Sequence, residues 1–293
     1  MRLLSYRDGA DEPLGVVIGD RALRADLVLP GGPATLRELL DGGEQSLAAL
    51  RAAATGAAAR VVAEGALLAE LRLLAPVPRP GKVVAVGLNY RAHAKEQKVE
   101  APAAPLIFAK FPTAVIGARE TISWDPGLTA QVDYEAELAV VMGRTARNVN
   151  VAEALEFVLG YTCANDVSAR DLQFGDRQWV RGKSLDTFCP LGPVLVTADE
   201  IPDPGVLDIA CHVNGEMRQQ SNTADLIFPV AAIVAHCARA FTLEPGDVIL
   251  TGTPSGVGVF SDPPRFLHDG DEVVVEIERI GRLVNTCREV AAG

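Results

Sequence analysis

Glu135 and Glu137, two residues apart in Val-Asp-Tyr-Glu-Ala-Glu-Leu-Ala-Val-Val, raise the first chemical question in this chain. A third carboxylate, Asp166, follows in Cys-Ala-Asn-Asp-Val-Ser-Ala-Arg-Asp. The stretch from Gln131 to Met142 reads as a strand. Side chains alternate faces along a strand, so Glu135 and Glu137 point the same way, and Asp133 shares their face. Like charges side by side repel unless something positive lies between them. Oxygen-only ligands select a hard cation: Mg²⁺ first, with Mn²⁺ or Ca²⁺ as alternatives. The competing reading is a solvent-facing acidic strand.

Other residue types extend the chemistry. His93 and Glu96 stand three apart in Asn89-Tyr-Arg-Ala-His-Ala-Lys-Glu-Gln97, where a helix would face them together. A carboxylate beside an imidazole orients it and raises its basicity, which suits a general base for water. The bland alternative is a surface helix with ordinary charges. Gly87-Leu-Asn-Tyr90 leads off an apolar strand, a common place for a site loop, which marks Asn89 and Tyr90 as substrate-binding candidates. Lys183 sits among Gly, Leu, Phe and Cys and reads as partly buried. A buried lysine needs a negative partner, and the acidic site would supply it. Such a lysine could hold an enolate or carboxylate oxygen; the alternative is a snorkelling surface lysine. Arg170 and Gln173 follow Asp166 at i+4 and i+7, suited to a substrate carboxylate, or in the case of Arg170 to a structural pair with Asp166. Thr251-Gly-Thr-Pro-Ser-Gly-Val-Gly258 lacks the Gly-Lys-Ser/Thr ending of a phosphate loop and reads as a tight turn carrying Thr253 into a pocket.

These groups need a scaffold, and the composition supplies one. The chain has 293 residues, 48% of them hydrophobic, enough for a large core. Its net charge of −11 argues against nucleic-acid binding and requires a local positive site for any anionic substrate. No apolar run is long enough for a membrane span. The polar start and the absence of an apolar signal core predict a cytoplasmic protein. The five cysteines are scattered and form no Cys-x-x-Cys, which fits reduced, buried thiols. His212 and His236 lie in apolar surroundings and His268 in a charged turn, so zinc is not indicated.

Residues 1–74 read as a small unit, with a strand at Leu14 to Ile18 and helices at Leu36 to Leu40 and Gln45 to Ala63. A crossing rich in proline, Pro76, Pro78 and Pro80, separates it from residues 75–293. The second part reads as strands at Val83 to Val86, Gln131 to Met142, Val194 to Val196, Leu207 to Val213, Asp247 to Thr251 and Glu272 to Ile280. Helices are expected at Ala92 to Gln97, Val151 to Tyr161 and Val230 to Phe241. Asn214-Gly215 marks a two-residue hairpin. Strands outnumber helices without regular alternation, which favours an α+β or mixed β-roll fold.

Five motifs together resemble the fumarylacetoacetate hydrolase superfamily. They are Val-Gly-Leu-Asn-Tyr-Arg-Ala-His-Ala-Lys-Glu, the Glu-x-Glu strand, Asn-Asp-Val-Ser-Ala-Arg-Asp, Gly-Lys-Ser-Leu-Asp-Thr-Phe-Cys-Pro-Leu-Gly-Pro and Gly-Asp-Val-Ile-Leu-Thr-Gly-Thr-Pro-Ser-Gly-Val-Gly, in that order over about residues 75–285. The segments around Gln178 to Ser184 and Val257 to Pro264 resemble a subgroup whose relatives are often labelled diene-dioate isomerases. The resemblance implies a mixed β-sandwich roll, usually a homodimer. It implies Mg²⁺ or Mn²⁺ on Glu135, Glu137 and Asp166, a His93–Glu96 pair on a mobile lid and a catalytic Lys183. Arg170, Gln173 and Thr253 match substrate-contacting positions. Fumarylacetoacetase itself adds a fourth carboxylate upstream of the Glu-x-Glu strand, but the stretch from Pro105 to Arg119 contains no Asp or Glu. The expected activity is hydrolysis or decarboxylation at C–C bonds of small anionic 2-oxo or 2,4-dioxo acids through an enolate. The alternative is keto–enol tautomerisation or isomerisation of oxaloacetate or dienoate acids, and a further one is a non-catalytic metal-binding protein.

Overall fold

A computed structural model describes residues 1–291. Its architecture is two main β-sheets packed face to face, with the N-terminal helices on the outer side of the larger one and the helix Val230–Ala240 packed into the core on the other side. The large sheet runs in the order Ala66–Leu67, Arg21–Arg24, Leu14–Ile18, Arg2–Arg7, Cys189–Thr197, Val158–Asn165, Ala136–Met142, Val248–Leu250, Val83–Gly87 and Leu106–Lys110. Neighbours along this path are antiparallel except Val248–Leu250 with Val83–Gly87, which run parallel. The second sheet runs Glu216–Asn222, Asp208–Val213, Glu272–Ile277, Gly281–Glu289 and Thr121–Trp124. It begins with the hairpin expected at Asn214-Gly215, where both residues take positive φ, 52° and 77°.

The strand Ala136–Met142 shows why the sheet lies at the centre. All of its residues are buried. Leu138, Val140 and Met142 join the apolar core between the sheets. Ala139 and Val141 face the other way, into a core shared with Leu36, Leu39, Leu50 and Val61 of the N-terminal helices. A strand covered on both faces reads as a continuous apolar run, as this one does. The N-terminal residues extend the large sheet: Arg2–Arg7 pairs with Cys189–Thr197, and the Met1 ammonium donates to Thr197 Oγ1 at 2.7 Å.

Two expectations change. Val151 to Tyr161 is not a helix; a short 3₁₀ turn, Ala154–Phe157, leads into the strand Val158–Asn165. A short buried apolar run has the same composition in either state, and here pairing on both sides decides it. The stretch from Gln131 to Met142 is not one strand either. Val132–Asp133 pairs with Ser168–Ala169, and the central strand begins afresh at Ala136.

Leu50 is the only buried residue of the helix Gly43–Gly56 and is fully enclosed. Leu50→Ala is expected to cost about 2–5 kcal/mol of stability. Chemical denaturation would check this, and an unchanged midpoint would contradict the shared core.

Candidate active site

The break in the strand at Tyr134–Glu135 places the acidic groups. The Glu135 N–H donates to Asn165 Oδ1 (2.9 Å), and the Asp166 N–H donates to the Glu135 carbonyl (2.9 Å). These bonds lock the chain ahead of Ala136 against the end of Val158–Asn165. One oxygen each from Glu135, Glu137 and Asp166 then lies within 4.8 Å of the others, and all three residues are buried. Asp133 turns elsewhere: it accepts from the N–H groups of Gly258 and Val259 and from Arg170 Nε (2.8 Å). The acidic strand is therefore not solvent-facing.

Three buried cations surround the carboxylates. Lys183 Nζ lies 2.8 Å from both Glu135 Oε2 and Asp166 Oδ2. Arg170 Nη1 lies 2.6 Å from Glu135 Oε1 and donates to Gln173 Oε1 at 3.0 Å. Lys110 Nζ lies 2.5 Å from Asp166 Oδ1 and donates to the Val167 carbonyl. Burial pushes the Glu135 carboxyl up, but Lys183 and Arg170 outweigh it and hold it at about 2. Burial would lower Lys183, but Asp166 and Glu135 outweigh it and keep the ammonium above the usual lysine range. The short helices Arg170–Asp176 and Trp179–Lys183 deliver two of these cations. Gly182 lets them touch, since a Cβ there would meet the Gln173 amide nitrogen at 2.7 Å.

Glu137 is different. Among the described residues its only hydrogen-bond partner is the Gly252 N–H, which donates to Oε2 at 2.6 Å. Burial, then Asp166, then Glu135 push its carboxyl well above the usual range. A buried carboxylate without a cation beside two others is the arrangement a divalent ion would balance. The donor set is all oxygen, so the residues fit a hard ion of the Mg²⁺, Mn²⁺ or Ca²⁺ kind.

The other predicted residues divide. His93, Gln173, Lys183 and Thr253 line one small chamber with Glu135, Glu137 and Arg170, and Phe108, Phe174, Trp179 and Phe260 supply its apolar wall. The helix Arg91–Glu96 covers it. His93 Nδ1 lies 2.8 Å from Glu96 Oε2, and Glu96 Oε1 accepts from the Gly256 N–H. Gly256 has φ +100°, and a Cβ there would strike the Arg218 carbonyl, so only glycine serves. Asn89 and Tyr90 do not line the chamber. The Asn89 amide is spent on backbone groups of Phe228 and Thr251, which ties the loop before the helix to the loop after Leu250. The Tyr90 hydroxyl is buried without a partner, and burial followed by Glu137 raises its pKa. Arg170 pairs with Asp133 and Glu135 rather than with Asp166, because the helix begins at Arg170 and Asp166 lies ahead of it.

Sequence reasoning missed Lys110, Gln97 and Gln219. Lys110 ends the strand Leu106–Lys110 and is 1% exposed; a charge closing an apolar strand was the available signal. Gln219 donates to Thr253 Oγ1 at 2.8 Å and accepts from the Ala136 N–H, which joins the second sheet to the site. The chamber holds only about 50 Å³, smaller than the usual small-molecule pocket. A larger hollow of about 630 Å³ near Arg37, Arg79 and Glu244 brings no such groups together; Arg37 pairs with Asp41, Arg79 with Glu12 and Glu244 with Lys82.

The chain is similar to several known proteins. The family described as fumarylacetoacetate (FAA) hydrolase, C-terminal, matches residues 82–288. The chain is 46% identical over 293 residues to the human oxaloacetate tautomerase FAHD2A, mitochondrial, covering 97% of this chain and 91% of that protein. Among solved structures, a fumarylacetoacetate hydrolase from Exiguobacterium antarcticum superposes with a TM-score of 0.85 at 37% identity, covering 99% of this chain and all of that one. A maleylpyruvate hydrolase from Sphingobium sp. SYK-6, in complex with manganese(II) and pyruvate, superposes with a TM-score of 0.80 at 33% identity, covering 99% of each chain. The chain belongs to the fumarylacetoacetate hydrolase superfamily, and it is an enzyme with the mixed α+β fold of that group. The human relative is named as mitochondrial, so the cytoplasmic expectation does not carry across to it. Among the described residues no helix is long and apolar enough to cross a membrane.

A metal ligand must be deprotonated. With the Glu137 carboxyl raised by burial and by Asp166 and Glu135, a divalent ion bound there should displace its proton wherever the pH lies below the raised value. Apparent affinity should therefore increase with pH until Glu137 is ionised. Titration calorimetry in two buffers of different ionisation enthalpy would measure the release, and Glu137→Gln should abolish it. Identical heats in both buffers would contradict the assignment.

Proposed function

We propose that this chain is a divalent-metal-dependent enzyme of small anionic 2-oxo acids, and that its reaction is keto–enol tautomerisation of an oxaloacetate-like acid. The observation that carries the reading is the cluster of Glu135, Glu137 and Asp166 paired with Lys183, with Glu135, Glu137 and Lys183 lining one small chamber. Support for the particular reaction comes from relatives 44–46% identical over most of the chain that are named oxaloacetate tautomerases.

Glu135, Glu137 and Asp166 would hold the ion, most simply Mg²⁺, which when bound supplies Lewis acidity to the 2-oxo and carboxylate oxygens. Lys183 lines the chamber, and its ammonium would hold an enolate oxygen or deliver a proton to C3 of the enol. Gln173 and Thr253 line the same wall and offer polar contacts to the rest of the acid. Arg170 is tied to Asp133 and Gln173 through Nε and Nη1 and lies against Glu135, while its buried Nη2, 2.8 Å from Asp133 Oδ2, makes no hydrogen bond among the described residues; the guanidinium would fix these groups and offer that donor to a substrate carboxylate.

A second reading is C–C hydrolysis of an acylpyruvate. It is favoured by the His93–Glu96 pair, which has the geometry of an oriented general base. One assay separates them: Mg²⁺-supplemented absorbance on oxaloacetate and on acetylpyruvate. Decay of the oxaloacetate enol without pyruvate or CO₂ is the expected result. Loss of the diketone with stoichiometric pyruvate would replace tautomerisation with hydrolysis.

Lys183→Met should lower kcat by at least about 10²-fold. Its affinity for Mn²⁺ should not fall, because Glu135 and Asp166 lose a competing cation. Steady-state kinetics with a parallel Mn²⁺ binding titration would check both. An unchanged kcat would remove Lys183 from the chemistry.

A further inference from the structure

His93 is the imidazole that hydrolysis needs, and neither of its ring nitrogens is free. Nδ1 lies 2.8 Å from Glu96 Oε2, and Nε2 lies 2.7 Å from Gln97 Nε2. An ionised carboxylate only accepts, so Nδ1 carries the proton; Nε2 is then a lone pair, and the Gln97 amide donates to it. Both partners come from the next helical turn, at i+3 and i+4 from His93.

The end of the helix fixes Gln97. Its N–H donates to the His93 carbonyl at 3.0 Å, Lys98 takes φ +55°, and the Val99 N–H returns to Ala94 O at 3.1 Å. The His93–Glu96 side is held by the Gly256 N–H. His93 and Gln97 both line the chamber, so the nitrogen that would meet a water is the one the amide already occupies.

We propose that Gln97 is a positioning residue that selects the reaction. By donating to His93 Nε2 it withholds the lone pair from water and disfavours C–C hydrolysis relative to proton transfer on the enol. In hydrolysis a water proton moves to Nε2 while its oxygen bonds to the distal carbonyl carbon. The C–C bond then breaks, and its electron pair leaves with the pyruvate fragment as an enolate that is protonated at carbon. Tautomerisation takes no water: the enol hydroxyl gives up its proton and one proton is added at C3. Lys183, on the wall of the same chamber, remains available for that transfer. The inference rests on the reading of the site as one for 2-oxo acids.

Gln97→Met keeps the length of the side chain and removes the donor. Two quantities report on it. One is the ratio of acetylpyruvate hydrolysis to oxaloacetate tautomerisation in the Mg²⁺-loaded protein. The other is the His93 Nε2 resonance in ¹⁵N-histidine spectra of the metal-free protein, tractable with four histidines in the chain. The ratio is expected to increase by about fivefold, the worth of one neutral hydrogen bond, and the resonance to move. A general structural defect would lower both rates together and leave the ratio alone. An unchanged ratio in a protein active before mutation, with or without movement of the resonance, overturns the selecting role and leaves the functional reading standing. A wild-type protein inert toward both acids overturns the functional reading and this inference with it.

Discussion

Four buried carboxylates, Asp133, Glu135, Glu137 and Asp166, face three buried cations, Lys110, Arg170 and Lys183, at the centre of this molecule. Taking an ion out of water costs several kcal/mol even after relaxation, so such a group persists only when its charges and hydrogen bonds are nearly all matched. Three of the carboxylates are matched by ion pairs. Glu137 is left with a backbone N–H and two negative neighbours. Either a proton or a cation must complete the set, and the all-oxygen surroundings make a hard divalent ion the natural one. A cavity holding a metal beside a lysine is then suited to oxygens that gain negative charge, as those of a 2-oxo acid do on enolisation.

The fold keeps this expensive cluster in register through backbone bonds. Glu135 and Asp166 are locked to each other through Asn165 and the Glu135 carbonyl, and Glu137 to the loop after Leu250 through Gly252. That loop also carries Thr253, accepts the Asn89 amide and meets Glu96 at Gly256. Hydrogen bonds therefore join the helix Arg91–Glu96 and the turn before it to the loop that holds Glu137. Burial of the central strand on both faces gives these loops a rigid base.

Much of the site was legible because its residue types are expensive anywhere else. Glu135, Glu137 and Lys183 stand in apolar or glycine-rich surroundings and line one chamber with His93, while Asp166 pairs with Lys183 and Glu96 with His93. Spacing misled where it assumed continuity. Asp133 leaves the face of Glu135 because the strand breaks between them, and Arg170 misses Asp166 because the helix starts four residues later. Asn89 reads the same whether it binds substrate or backbone; only the positions of Phe228 and Thr251 distinguish the two. Lys110 pairs across 56 residues of sequence, and no local pattern announces such a partner. The helix expected before Asn165 became a strand because its neighbours on both sides were strands.

The central claim is that a divalent ion completes the charge of the buried cluster at Glu137. Anomalous diffraction from crystals grown with Mn²⁺ tests it most directly. The account predicts one strong peak within about 2.0–2.3 Å of oxygens from Glu135, Glu137 and Asp166, with Lys183 displaced from at least one of its two carboxylates. A peak elsewhere, or none with Glu137 still bonded only to Gly252, would contradict it.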